Sequence, residues 1–322
     1  MEQLDGRLAV VTGGGTGMGR ELVRQLAEAG CSVAMCDVSA DNMADSKALA
    51  EDGAAADVTI TTFVADVSDE AQIAAFRDSV KTEHVTDHIN LLFNNAGIGG
   101  GGSFVEDDRG EWDKTFAVCW GGVYNCTRAF MPMLLASTEG HIVNTSSVNG
   151  FWASLGPGIP HTAYSAAKFA VKGFTEALIS DLRLNAPHIR ASVVMPGHIG
   201  TSIVINSSAI LGRSPKEMNE QQLAQVRERM GRMGLDLSGA SDEDIRVGIQ
   251  MQAEAFRDNA PLSAAQAATI ILDGVRANQW RILVGDDAVL LDNMVREVPT
   301  EAYEADFMDR VRARGAFGFT DR

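Results

Sequence analysis

The chain has 322 residues, 45% hydrophobic and 22% charged, enough for one large α/β domain or two small ones. Its formal net charge of −16 at pH 7 argues against nucleic acid and anionic membrane as partners, because both are held by clustered Lys and Arg. No run approaches the roughly eighteen apolar residues of a membrane span, and "MEQLDGRLAVVTGG" lacks the features of a signal peptide, so a cytoplasmic location is expected.

In chain order, "RLAVVTG", "CSVAMCD", "TTFVADV", "INLLFNNAG", "HIVNTSS", "IRASVVMPG" and, much later, "RILVGD" are short β-branched runs bounded by Gly, Asp or Asn, as buried parallel strands are. Helical stretches separate them. Residues 17 to 29 carry Met18, Leu22, Val23 and Leu26 on one stripe, and "SDEAQIAAFRDSV" opens with Ser68 as cap and Asp69 and Glu70 in its first turn. The alternation predicts an α/β fold: a doubly wound parallel seven-stranded Rossmann-type sheet with helices on both faces, in a single domain spanning residues 1–322. From about 205 to 261 the strand pattern stops. Helices predicted from Ser214 ("SPKE") and Ser241 ("SDED") make this a helical insertion, with Met218, Met230, Met233 and Met251 in it. A lid over an apolar site and a subunit contact are both open for it. A capping box from Ser263 to Gln266 starts a further helix, and a C-terminal tail at about 299–315 is expected to form one more amphipathic helix.

Cys31, Cys36, Cys119 and Cys126 show neither CxxC spacing nor nearby histidines, so they read as reduced core residues and no metal site is expected. His161 and His198 lie near the motifs below and are assigned structural roles.

In "VVTGGGTGMGREL" a strand runs through glycines into a helix. Gly13, Gly17 and Gly19 let the backbone turn tightly and approach a pyrophosphate at the helix N-terminus. The second strand ends at Asp37, where a carboxylate can accept hydrogen bonds from an adenosine ribose. Asp37 also repels a 2′-phosphate, and with no Lys or Arg beside it NAD is favoured over NADP. "NNAG", Asn94 to Gly97, ends the fourth strand, and Asp66 and Val67 end the third at the same edge, where an adenine would sit. In "HTAYSAAKFAV", Tyr164 and Lys168 stand four apart on one helix face, and a nearby cation lowers a phenol's pKa towards the range of acid/base catalysis. Ser146 or Ser147, at the preceding strand end, could bring a hydroxyl to the same substrate oxygen.

The ordered motifs "TGGGTGMG", "NNAG", "NTSS", "YSAAK" and "PGHIGT" resemble those of the short-chain dehydrogenase/reductase (SDR) family over residues 5 to about 202 and again at the final strand. The resemblance implies a dinucleotide-binding catalytic domain, a homodimer or homotetramer, and hydride transfer between a nicotinamide and an alcohol or carbonyl. It implies Tyr164 as general acid/base, Lys168 as the residue that holds the nicotinamide ribose and tunes the tyrosine, and Ser147 as the group that polarises the substrate oxygen. Gly13, Gly17, Met18, Gly19, Asp37, Asp66, Val67, Asn95, Ala96 and Gly97 match cofactor positions, and Ile199 and Thr201 would meet the nicotinamide carboxamide.

Two departures stand out. Cys119 falls where the family commonly has an asparagine that supports a water chain to the lysine, so either the proton relay runs through backbone-held water or catalysis is weakened. The connection from Ser147 to Tyr164 is long and carries Phe151, Trp152 and Leu155, read as an apolar substrate wall that disfavours carboxylate or phosphate substrates. The expected function is therefore an NAD-dependent oxidoreductase of a small, largely apolar secondary alcohol or its ketone. The alternatives are an NAD(H)-binding sensor or scaffold with weakened catalysis and, within enzymes, an epimerase or dehydratase on the same fold.

Overall fold

A computed structural model describes residues 1–155, 159–232 and 234–315. Each of the seven β-branched runs is a strand of one sheet: β1 (Leu8–Thr12), β2 (Ser32–Asp37), β3 (Ile60–Val64), β4 (Leu91–Asn94), β5 (Gly140–Thr145), β6 (Ile189–Pro196) and, after a short pair β7 (Ile199–Gly200) and β8 (Leu262–Ser263), β9 (Arg281–Val284). The order is β3-β2-β1-β4-β5-β6-β9, with every neighbouring pair parallel. The direction of winding reverses between β1 and β4, which opens a crevice at the carboxyl ends of these strands.

The pleat sorts side chains between two cores. Val11 and Phe93 join Leu22, Val23 and Leu26 of α1 (Gly17–Glu28) and Ile271, Leu272 and Val275 of α10 (Ala264–Arg276) on one face, where α2 (Ala40–Gly53) adds Met43 and Ala50. Val10 and Leu92 point the other way, to Ile73 and Phe76 of α3 (Glu70–Glu83), Phe130 and Met133 of α5 (Gly122–Leu135) and Ala167 of α6 (Thr162–Asn185). Phe76 meets Phe130 edge to face, ring centroids 5.5 Å apart. Both faces are covered, which is why β1 and β5 are buried at every position. Cys31, Cys36, Cys119 and Cys126 are free thiols buried among these elements. Among the described residues no helix is long and apolar enough to cross a membrane.

Several local expectations are corrected. Asp69, not Ser68, caps α3: its carboxylate accepts from the backbone N–H of Ala71 and Gln72, while the Ser68 hydroxyl donates to Asp66. Ser214 begins only a 3₁₀ turn, Pro215–Glu217. Helix α8 (Glu220–Arg232) starts after Asn219, whose side chain accepts from Gln222 N at 2.9 Å while Gln222 returns the bond at 3.0 Å. Ser241 and Ser263 do open α9 (Asp242–Asp258) and α10 through capping boxes. The insertion also contains most of α7 (Ile203–Ile210), and its own small core joins Met218, Leu223 and Ile245. Met251 is 63% exposed, and Met233 lies outside the described residues.

At the C-terminus, α11 (Asp286–Glu297) follows β9 directly, an element the sequence reading lacks, and the tail is mostly turns with one short helix, α12 (Phe307–Ala313). The two helices close on Trp152, which is 2% exposed, stacks near Phe307 and donates its indole N–H to Ala302 O at 2.6 Å.

A buried histidine makes the fold acid-sensitive. On β5, His141 is 1% exposed; its Nε2 bonds the Ser192 hydroxyl, which itself donates to Gln279 O, and its Nδ1 has no partner among the described residues. The ring therefore carries its proton on Nε2. Burial, the N-terminal charge and Arg190 push its pKa down to about 3. The unfolded chain takes up a proton near pH ~6.5, so stability from this residue is complete above that pH and is lost as pH falls towards about 3. Neutral His141 should cost about 2 kcal/mol of stability by pH ~5 relative to neutral pH. Thermal melts from pH 7.5 to 5 should show a steeper decline in the wild type than in His141→Gln, whose baseline stability is lower; parallel declines would refute the assignment.

Candidate functional site

The carboxyl ends of β1, β2 and β4 form the first part of the site. Gly13 and Gly17 adopt positive φ, 66° and 55°, which only glycine takes without strain. A β-carbon on Gly19 would lie 1.9 Å from the Gly13 carbonyl oxygen, so the first turn of α1 can approach β1 only without a side chain there. The Asp37 carboxylate accepts from Gly15 N at 3.0 Å and Ser39 N at 3.1 Å, which fixes it at the end of β2. Arg20, on the first turn of α1, makes no bond to Asp37: its guanidinium bonds Gly15 O, Asn42 O and the Ser46 hydroxyl.

The Thr12 hydroxyl accepts the backbone N–H of both Asn95 and Ala96 and donates to Phe93 O, fastening "NNAG" to β1. Asn95 Nδ2 bonds Thr12 O and Gly13 O, whereas its Oδ1 is buried with no partner among the described residues. Asp66 does not stand free at the neighbouring edge. It pairs with Lys114 of α4 (Arg109–Phe116) at 2.6 Å and accepts twice from Ser68; burial alone would raise its pKa, but these partners hold it below the ordinary carboxylate value. Val67 is set by Asn125, whose side-chain amide donates to its carbonyl, and by contact with Gly122. Lys114 is a partner that the motif alone does not disclose.

A cavity of about 370 Å³ opens beside these loops. Its walls bring together Met18, Asn95, Gly97, Ser147, Tyr164 and Lys168, with Ile199 and Thr201 from the segment after β6. Thr201 lies against Gly17, where a β-carbon would approach its side chain to 3.2 Å. At the end of β5 the two serines part company. The Ser146 hydroxyl donates to the Lys168 carbonyl at 2.8 Å, while Ser147 Oγ accepts from Asn149 N and bonds the Tyr164 phenol.

Lys168 is only 3% exposed, and its ammonium donates to Thr145 O at 2.8 Å and lies 5.3 Å from the centre of the Tyr164 ring. The expected lowering of the tyrosine pKa is not found. Burial, and then the Cys119 thiol, raise it well above the ordinary phenol value, and the bond from Ser147 offsets only part of this. Desolvation is the largest influence on the phenol, and it lowers the pKa of Lys168 as well. Cys119 sits in a π-helical turn, Ala117–Gly121, between α4 and α5, and gives its S–H to Ile98 O at 3.1 Å.

The presumed aromatic wall is also corrected. Trp152 and Phe151 face away from the cavity into the C-terminal core, and Phe151 lies under the Arg281 guanidinium at 5.7 Å. Of the three residues only Leu155 lines the cavity, and residues 156–158 lie outside the described ones. The start of α7 and the insertion build the remaining wall with Ile203, Val204 and Phe256, and none of the insertion's methionines is among the described lining. His161 and His198, both assigned structural roles from sequence, line the cavity: the His161 ring lies 4.7 Å from that of Tyr164, and His198 is tied through Nε2 to Phe256 O.

Residues 7–210 match the family model for short chain dehydrogenases. A protein of Mycobacterium tuberculosis named as an oxidoreductase, SadH, is 31% identical over 296 residues, 92% of each chain. An SDR structure from Burkholderia phymatum in complex with NAD is 27% identical with a TM-score of 0.73, covering 93% of this chain and 96% of that one. A metagenomic short-chain oxidoreductase in complex with NADP is 32% identical with a TM-score of 0.53, covering 60% and 83%. With its matching fold, motifs and extent, the chain belongs to the short-chain dehydrogenase family of oxidoreductases.

Proposed function

We propose that this protein interconverts a largely apolar secondary alcohol and its ketone with NAD, using Tyr164, Lys168 and Ser147. The observation that carries this reading is the single cavity in which these three side chains converge beside Gly97 and Thr201. A dinucleotide fits the adjoining loops. Gly13, Gly17 and Gly19 leave its pyrophosphate room at the start of α1, the unpartnered Asn95 Oδ1 offers a buried acceptor, and Asp37 is set for a ribose. Met18, Asp66, Val67, Ala96 and Gly97 would complete the adenine and ribose surroundings, and Ile199 and Thr201 those of the carboxamide. NAD is favoured over NADP because Asp37 repels a 2′-phosphate while Arg20 is spent on the loop carbonyls.

Held by these loops, NAD would supply the hydride acceptor for oxidation and NADH the hydride donor for reduction. In oxidation the Tyr164 oxygen takes the substrate hydroxyl proton while Ser147 holds the same oxygen in place; reduction reverses both steps. Lys168 holds the cofactor ribose, and its ammonium favours the phenolate once substrate and cofactor are seated. Proton exchange with solvent runs through water held by backbone carbonyls near Lys168, because the Cys119 thiol is committed to Ile98 O.

The whole chain acts as one catalytic domain, with residues 205–261 as its lid. The aromatic surface of α5 and α6, with Tyr124 and Phe169 exposed and Trp120 edge-on to Phe174, supports a homodimer or homotetramer.

Reduced-nicotinamide absorbance, followed with NAD or NADP and secondary alcohols from aliphatic to bulky aryl, should show turnover with NAD and a bulky apolar alcohol. Silence across the panel with NADH still bound would favour the sensor reading, and turnover without net absorbance change would favour an epimerase or dehydratase. Tyr164→Phe should lower kcat by about 10²–10⁴-fold with NADH affinity retained; full activity would remove Tyr164 from the mechanism. Cys119→Asn should change kcat by less than about tenfold, under ~1.4 kcal/mol of barrier. A larger gain would place the relay at that position and mark the wild type as weakened.

A further inference from the structure

The chain carries 43 acidic and 27 basic residues, yet the described lining of the cavity holds three cations, Lys168, Arg213 and Arg229, and a single carboxylate, Glu111. The chemistry of the three differs. Lys168 is committed to Thr145 O and the tyrosine. Arg213 is neutralised, its Nη2 lying 2.9 Å from Glu111 Oε1, which also accepts from Gly101 N. Arg229, on α8, makes no hydrogen bond or ion pair with another described residue.

Neighbouring groups place Arg229 at the substrate end of the cavity. Its Nη2 lies 3.9 Å from the point where a β-carbon on Gly102 would stand, beside Pro160 O, and its charge helps burial push His161 down to about 4. His161 in turn stacks at 4.7 Å against Tyr164. A neutral imidazole thus separates the phenol from the arginine. Asp107 Oδ2 lies 2.9 Å from that same point on Gly102 and accepts from Ser103 N at 2.6 Å but forms no ion pair with Arg229, and the adjacent Arg232 is paired with Glu106, which ties α8 to the loop before α4.

Resting on the oxidoreductase reading above, we propose that Arg229 is a specificity residue that binds a carboxylate on the substrate, so that the preferred substrate is an oxo or hydroxy acid with an apolar body between its reacting carbon and its acid group. The guanidinium forms charge-assisted hydrogen bonds with that carboxylate in a partly desolvated setting. Leu155, Ile159, Ile203 and Val204 supply the apolar surface of the same cavity. Phe151 and Trp152, whose supposed place in the wall spoke against an acid, face elsewhere.

The test pairs aliphatic oxo acids of increasing spacer length with their methyl esters. Wild-type enzyme should prefer an acid over its ester at one spacer length. Arg229→Gln should raise KM for that acid roughly tenfold, the worth of one partly solvated charge-assisted bond, with kcat and the ester unchanged. Arg229→Lys should restore part of the loss. Equal preference for acid and ester, or equal loss on both in Arg229→Gln, would overturn the proposal and leave Arg229 a structural residue of α8. If neither acid nor ester turns over, the oxidoreductase reading fails only where the alcohol panel above is silent as well. The carboxylate site is then read by titrating saturated fatty acids into the NADH-loaded protein: tighter binding of the acid than of its ester, lost in Arg229→Gln, supports it, and indifference overturns it.

Discussion

The site depends on one buried cation. Removing an ammonium from water costs several kcal/mol unless partners replace its hydration, and Lys168, at 3% exposure, recovers part of this from the Thr145 carbonyl at the end of β5. That bond can form only when α6 lies in one register against the sheet. Ser146 enforces the same register from the other side by donating to the Lys168 carbonyl, and Gly150 leaves room for it, since a β-carbon there would sit 2.2 Å from Ser146 Oγ. With α6 fixed, the residue one helical turn before Lys168 must be Tyr164, and the next serine after Ser146 must meet it. The two neighbouring serines thus divide the work: one anchors the backbone of α6 and the other meets the Tyr164 phenol.

A second set of constraints meets this one from β1. The 1.9 Å that a Gly19 β-carbon would leave to the Gly13 carbonyl means that α1 begins where no side chain fits, with its first amides open to an anion. Thr12 carries that geometry across to "NNAG" through two accepted backbone bonds, and Gly97 faces both halves of the site: a β-carbon there would touch Lys168 Nζ at 3.5 Å and Cys119 Sγ at 3.7 Å. The cofactor loops and the tyrosine helix are therefore coupled through the small residues after β4.

How much of this the sequence made legible depends on the range of the interaction. All seven strands of the main sheet, the glycine turn, the Tyr164–Lys168 face and two capping boxes are set by residues within a few positions of each other, and they were readable from spacing. What escaped was tertiary. Nothing local says that Trp152 turns to Ala302 instead of to the cavity, because its partner is 150 positions away. The same holds for Lys114 with Asp66. Helix α11 was missed because its acidic start follows β9 without a break, and the tyrosine pKa was misjudged because spacing reports a neighbouring cation but not the burial that outweighs it.

The polarity of the cavity follows from the same tertiary layer. A family motif specifies the residues that touch the reacting oxygen and the cofactor, and these are shared across many chemistries. The distant wall comes from the insertion, whose helices are held by contacts particular to this chain: Arg227 bridges α8 to Asp242 and to the carbonyls of Leu237 and Ala240, and Arg246 bonds Met218 O. Each of these arginines has its charge or donors taken up inside the insertion, and Arg213 is paired from outside it by Glu111 of α4. A helix whose Arg227 and Arg232 are paired while half-buried Arg229 faces the cavity with no partner among the described residues presents one open cation there, an arrangement suited to a ligand of opposite charge.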